Sequence, residues 1–177
     1  MSSTPQMKPW IAAIHAYTPG KSKLDGIAEP VKLSSNENPL GPSPKAIAAM
    51  ADIAGQAHRY PDGSSVALRA AIAELHGLEA DHIVCGTGSD EILQLLAMAY
   101  ASVGDEVLFA RNSFMVYPIA ARRAGATPVE APDTDYAADV DALLSAVTPA
   151  TRLVYLANPN NPTGTLISAA EVRRLHA

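Results

Sequence analysis

Cysteine is almost missing from this sequence: Cys85 is the single thiol in 177 residues. That excludes an internal disulfide and any metal site assembled from several cysteines. Long apolar runs are missing too. The most hydrophobic stretch, Ile92 to Val103, is broken by Gln94 and Ser102 and is too short to cross a bilayer as a helix. Basic excess is absent, since 13 Lys and Arg stand against 18 Asp and Glu for a net charge of −5. With no basic block to track a phosphate backbone, nucleic acid is excluded as the expected partner. Met1 to Trp10 lacks a charged segment followed by an apolar one, so nothing marks the chain for secretion and a cytoplasmic location is expected by default. What is present is a hydrophobic content of 48%, enough to bury a core in a chain of this length.

Residues 1–43 are rich in Pro, Gly, Ser and Asn, with short apolar pieces at Trp10 to Ile14 and Val31 to Leu33, and read as an arm. The texture changes at Ser43, which can cap a helix that starts on Pro44 and repeats Ala46, Ile47, Met50 and Ile53 at helical spacing. His58 to Gly63 reads as a turn, and a second helix carrying Val66, Leu68, Ile72 and Leu75 is stopped by Gly77. Strands and helices then alternate. Strands are expected at Ile83–Cys85, Val107–Ala110, Thr127–Ala131 and Leu153–Ala157, and helices at Ser89–Ala101, Phe114–Ala124 and Val140–Val147. This order predicts an α/β fold with a mostly parallel sheet covered on both faces, and ligands collect outside the carboxyl ends of such strands.

Three loops lie at those ends. Gly86-Thr87-Gly88-Ser89-Asp90-Glu91 runs from a strand into a helix, the outline of an anion site made by free N–H groups and the positive helix end. A second reading stays open, in which Ser89 caps the helix while Asp90 and Glu91 satisfy its dipole. The loop is no P-loop, because Gly88 is followed by Ser89 and Asp90 rather than Lys and a hydroxyl residue. It is no dinucleotide fingerprint either, because Glu91 stands where a third small residue is needed. The second loop is Arg111 to Phe114. The third, Asn158-Pro159-Asn160-Asn161-Pro162-Thr163-Gly164, could hold an amide toward a ligand oxygen or could be turn chemistry alone.

Asn161-Pro162-Thr163-Gly164 after an apolar strand, downstream of Gly88-Ser89-Asp90-Glu91, resembles the signature of the fold-type I pyridoxal-phosphate aminotransferases. Ser35-Asn36-Glu37-Asn38-Pro39-Leu40-Gly41, Arg59-Tyr60-Pro61-Asp62-Gly63 and Tyr17-Thr18-Pro19-Gly20-Lys21-Ser22 further resemble the histidinol-phosphate aminotransferase branch. The resemblance implies that the amides of Gly88, Ser89 and Asp90 hold the phosphate of pyridoxal 5'-phosphate, that Phe114 stacks on its ring where many relatives have tyrosine, and that Asn161 reaches its phenolic oxygen. A phenylalanine stacks but forms no hydrogen bond. Tyr60 is implied to reach the phosphate held by the neighbouring subunit, hence a homodimer. Tyr17, Asn36, Glu37 and Asn38 are implied in the substrate pocket, with core packing for Tyr17 and a turn for the other three as readings that stay open.

The same resemblance implies that the lysine bound to the cofactor as a Schiff base, the aspartate pairing with the pyridine nitrogen and the carboxyl-terminal arginines lie beyond residue 177, so that no catalytic residue is assigned. Lys8, Lys21, Lys23, Lys32 and Lys45 all precede the alternating region. Ser168 to Glu171 has the capping-box pattern of a new helix, yet only six residues follow. The expectation is therefore the N-terminal piece of an enzyme: residues 1–43 as an arm belonging to a small domain and 44–177 as the first half of the cofactor-binding domain, inactive alone. The implied reaction exchanges an amino group between L-histidinol phosphate and 2-oxoglutarate, giving imidazole-acetol phosphate and glutamate in histidine biosynthesis. An aromatic aminotransferase, a threonine-phosphate decarboxylase, or a non-catalytic chain, either a degenerate remnant or a phosphate-ligand binding module, remain alternatives.

Overall fold

The computed structural model describes residues 5–15, 21–23, 25–33 and 35–177. Contacts divide the chain into two compact units, one of residues 1–15 with 84–177 and the other of residues 16–83. The boundary expected at 43/44 falls inside the second of them.

In the unit of residues 16–83, α2 (Pro44–Ala54) starts as expected, with the Ser43 Oγ accepting from the Ala46 amide at 3.1 Å and Pro44 in the first turn. α3 (Val66–His76) ends on Gly77, whose φ of +64° is the left-handed conformation that a helix stop requires. Its start is held by Asp62, whose carboxylate accepts from the amides of Ser64 at 2.9 Å and Val66 at 2.7 Å. Arg69 then ties α3 to the short 3-10 turn Ala80–His82 through the Ala80 carbonyl at 2.7 and 2.9 Å. The apolar stripe of α2, Ile47, Met50 and Ile53, is exposed.

The other unit holds a parallel three-stranded sheet in the order β2-β1-β5, with β1 (Glu106–Ala110), β2 (Thr127–Ala131) and β5 (Thr151–Tyr155). Alternation along β1 assigns its side chains to two layers. Val107 and Phe109 pack with Ala97 and Ala101 from α4 (Ser89–Tyr100) and its end, and with Tyr117, Ala120 and Ala121 from α5 (Val116–Ala124). Leu108 turns the other way, against Leu143 of α6 (Val140–Ala146), with Leu175 of α7 (Ala169–His176) alongside. Helices on both faces explain why β1 reads as a continuous apolar run rather than an alternating one. Leu108 and Leu143 are fully buried, each such side chain contributing about 1.5–3 kcal/mol. Gly125 closes α5 at φ +87°, and a Cβ there would lie 3.0 Å from Val103 and 3.4 Å from the indole of Trp10 on α1 (Pro9–Ala12).

Two expectations need correcting. Ile83–Cys85 forms no strand: the segment is extended, but Val84 is 74% exposed, and no described strand pairs with it. Extended backbone becomes a strand only when a neighbour takes its hydrogen bonds, and periodicity cannot supply that neighbour. The last strand lies two residues earlier than expected, at Thr151–Tyr155, because Leu156 and Ala157 have already left the ladder for the Asn-Pro loop. A small antiparallel hairpin that the sequence did not announce, β3 (Asp133–Thr134) with β4 (Ala137–Ala138), sits between β2 and α6.

Candidate active site

The strands β1 and β5 run parallel, so the segments that follow them leave the same edge of the sheet. α4 comes into that neighbourhood, its Leu93 carbonyl accepting from the hydroxyl of Tyr155 at the end of β5, and it opens on a tight turn. Gly88 there has φ +80° and ψ −178°, a region essentially closed to residues with a side chain, although a Cβ would meet nothing within 4 Å. The requirement for glycine is thus conformational, and the turn is tightened by the Gly88 amide donating to the Gly86 carbonyl at 2.8 Å.

Side chains settle how the acids of this turn lie. The Glu91 carboxylate folds back to accept from the Thr87 amide at 2.6 Å and the Thr87 hydroxyl at 3.0 Å, which together hold its pKa below the usual value. The Asp90 carboxylate accepts from the Gln94 side chain, 3.0 Å away and one turn along the helix. No side chain caps α4, whereas Ser43, Asp139 and Ser168 cap α2, α6 and α7. The first-turn amides of Ser89 and Asp90 make no hydrogen bond to a described residue at the positive end of a twelve-residue helix. Of the three residues expected to hold a phosphate, Ser89 and Asp90 supply donors, and Gly88 supplies the shape of the turn.

After β1, Ser113 donates to the Ala110 carbonyl at 2.5 Å, and the half-buried Phe114 stands just ahead of α5. Its ring meets Tyr117 edge-on at 5.9 Å, Tyr117 stacks on Tyr155 at 4.9 Å, and the Tyr155 hydroxyl donates to the Leu93 carbonyl on α4 at 2.5 Å. Burial pushes the pKa of both Tyr117 and Tyr155 up. Leu93, Phe114 and Ala157 all pack on the buried cluster that these tyrosines belong to. One cluster thereby seats the body of α4, the Phe114 segment and the start of the Asn-Pro loop.

The Asn-Pro loop is braced by its own asparagines. Asn158 accepts from the Ile167 amide and donates to the Ile167 carbonyl, both at 3.0 Å. Asn160, the one buried polar residue among the described residues, donates to the Asn112 carbonyl at 2.8 Å and to the Thr163 hydroxyl at 2.7 Å. Asn161, half-buried, makes no side-chain hydrogen bond to any described residue, so its amide remains available. The sequence pointed to Asn161 and missed Asn160, whose doubled position beside it was the only signal.

Other expected residues lie in the unit of residues 16–83. Tyr60 is fully exposed. Asn36 has φ +52°, Glu37 pairs with Lys32, and Asn38 accepts from the Leu40 amide at 3.0 Å, so this segment is a turn in its own right. Tyr17 lies outside the described residues. No group of three or more His, Cys, Asp or Glu among the described residues is placed to hold a metal ion.

An uncapped helix end for a phosphate, an aromatic ring packed on the same cluster as that helix and a spare amide donor fit the donor set that pyridoxal phosphate needs. Fold and site together define an α/β protein with candidate ligand-binding loops after the strands of a parallel sheet. Residues 28–177 match the family described as aminotransferase class I and II, and the chain belongs to that family. It is 62% identical over its full length to the histidinol-phosphate aminotransferase of Erythrobacter litoralis, covering 48% of that protein, and 58% identical over 97% of its length to that of Ruegeria pomeroyi, covering 47%. The solved histidinol-phosphate aminotransferase of Sinorhizobium meliloti, in complex with pyridoxal 5'-phosphate, superposes on 99% of the chain with a TM-score of 0.82 at 25% identity, and 48% of that chain is covered. The chain thus spans about half the length of the relatives it matches.

Proposed function

We propose that this chain supplies the cofactor-holding part of a histidinol-phosphate aminotransferase, which exchanges an amino group between L-histidinol phosphate and 2-oxoglutarate in histidine biosynthesis, as a cytoplasmic homodimer. The observation that carries this reading is the uncapped start of α4, a helix whose body packs on the same buried cluster as Phe114 and Ala157 at the head of the Asn-Pro loop. Close likeness to histidinol-phosphate aminotransferases along the whole chain supports the substrate.

Pyridoxal phosphate, when bound, supplies an electron sink for chemistry at the substrate's alpha carbon. The residues of this chain bind and orient it. The amides of Ser89 and Asp90 receive the phosphate, with Gly88 shaping the approach and the helix end adding a favourable field. Phe114 offers a flat apolar face that excludes water from one side of the ring. The Asn161 amide donates to the phenolic oxygen and so fixes the ring's rotation. Tyr60, exposed as it is, extends its hydroxyl to the phosphate held by a second subunit, and Tyr17, Asn36, Glu37 and Asn38 border the substrate. Residues 1–43 belong with a small domain and 44–177 with the cofactor domain. No lysine follows Lys45, so none is assigned to carry the cofactor.

Replacing Ser89 by proline, which removes its amide at a first-turn position that tolerates proline, or Asn161 by alanine, in the full-length gene product should weaken cofactor binding about tenfold each, the size of one or two lost hydrogen bonds. Titration of the cofactor-free protein with pyridoxal phosphate measures this, and unchanged affinity in both variants would sink the assignment. Adding L-histidinol phosphate, phenylalanine or threonine phosphate to the loaded protein separates the substrates. Only the first should alter the visible absorbance at micromolar concentration.

A further inference from the structure

The hairpin β3–β4 has no part in the site described so far, yet it is fastened to both loops that carry Phe114 and Asn161. Asn112, two residues ahead of Phe114, donates its side-chain amide to the Asp133 carboxylate on β3 at 2.6 Å. The hydroxyls of Thr163 and Thr165 both donate to the Tyr136 carbonyl at the hairpin's turn, at 2.9 and 2.8 Å. That turn is costly, because Asp135 and Tyr136 lie at φ +50° and +62°, a region an aromatic residue rarely enters. The conformation aims one carbonyl at two hydroxyls.

Buried Asn160 closes the circuit. Its side chain joins the Asn112 carbonyl to the Thr163 hydroxyl, and its backbone accepts from Gly164 and donates to Thr165, both at 2.8 Å. Apart from the Asn112–Asp133 bond, every bond in this ring is made by a near neighbour of Asn161 in the chain, and none by the Asn161 side chain. Asn160 is the buried member of this ring; its satisfied amide fixes one geometry, and breaking the ring strands that buried donor.

We propose that the hairpin Asp133–Ala138 and Asn160 are positioning elements: they hold the Asn-Pro loop against the Phe114 loop so that the Asn161 amide stands free and oriented toward the cofactor ring. This rests on the reading of Asn161 given above. The α4 turn, which receives the phosphate, makes no hydrogen bond to the hairpin. Losing the ring should therefore disturb recognition of the cofactor's ring and leave phosphate binding intact.

The test removes the two hydroxyls with Thr163→Val and Thr165→Val together in the full-length gene product. Affinity for pyridoxal phosphate should fall about tenfold, while affinity for inorganic phosphate stays as in the parent. In an Asn161→Ala background the same pair should cost nothing further, because the hydroxyls act through Asn161. Additive losses, parallel loss of inorganic phosphate binding, or unchanged pyridoxal phosphate affinity would each overturn the positioning role. If Asn161→Ala alone has no effect, the site assignment itself fails and the positioning role falls with it, an outcome distinct from the others. Should the paired variant not fold, Asp133→Ala cuts the ring at its other end and must show the same non-additivity.

Discussion

At the scale of single residues, the site turns on which backbone and side-chain groups are spent within the protein and which are left over. Gly88 illustrates the first kind. With φ +80° and open space around a would-be Cβ, a Gly88→Ala substitution meets strain and no clash. It should cost about 1–2 kcal/mol, and the turn should relax toward a conformation that no longer presents the Ser89 and Asp90 amides together. Chemical denaturation and pyridoxal phosphate titration should therefore show both a modest loss of stability and weaker binding. A loss of stability with unchanged binding would mean that the turn does not receive the phosphate. The neighbouring asparagines illustrate how much a sequence reveals at this scale. Asn161 was legible as part of a short signature, but the division of labour with Asn160 was not, since it depends on Asn160 being buried against the Asn112 carbonyl, a residue 48 positions away. The orientation of Glu91 was equally hidden: a carboxylate beside an anion site reads as repulsive until it is found bonded to Thr87.

Elements were more readable, because their starts and stops are local chemistry. Ser43 with Pro44, Gly77, Gly125 and Ser168 with Glu171 all punctuate helices where their residue types said they would. What failed were the parts decided by a distant partner: Ile83–Cys85, which has none among the described strands, and the hairpin, whose turn of Asp135 and Tyr136 carries no glycine signal. Local capping also sets how the elements respond to acid. Asp139 accepts from the Ala142 amide at the start of α6 and from the Thr134 hydroxyl of β3, and these bonds hold its pKa below the usual carboxylate value. Asp62 does the same for α3 through the amides of Val66 and Ser64. A lowered folded-state pKa means stability that is fully present above the unfolded value, about 3.9, and lost as pH falls through the folded one. Asp139→Asn keeps an acceptor but no charge, so it should lower the melting temperature at pH 7 and flatten the decline between pH 5 and pH 2. Melting curves across that range check this, and a slope equal to the parent's would show that the Asp139 cap contributes nothing to acid sensitivity.

On the scale of the molecule, the alternation of strands and helices was enough to predict a parallel sheet with two covered faces, because each face must find apolar cover within a short crossover. It was not enough to predict how much would stay uncovered. Leu95, Leu96, Met98, Tyr100 and Val103 are exposed on or just after α4, and Ile47, Met50 and Ile53 form an exposed stripe along α2. In addition, among the described residues β5 has a partner strand on one side only, so its other edge presents unpaired amides and carbonyls beside a half-exposed Val154. Scattered apolar residues on a surface are ordinary, but stripes at helical spacing and an open strand edge are the composition of an interior. A polypeptide of these 177 residues alone should accordingly bind an apolar fluorescent dye and self-associate as its concentration rises. The full-length gene product, if its remaining residues cover these faces as the doubled length of the relatives suggests, should do neither. Sedimentation and dye fluorescence on the two polypeptides side by side decide the matter. Dye binding by both would mean that the stripes face solvent in the working protein, and by neither that the isolated chain buries them on itself.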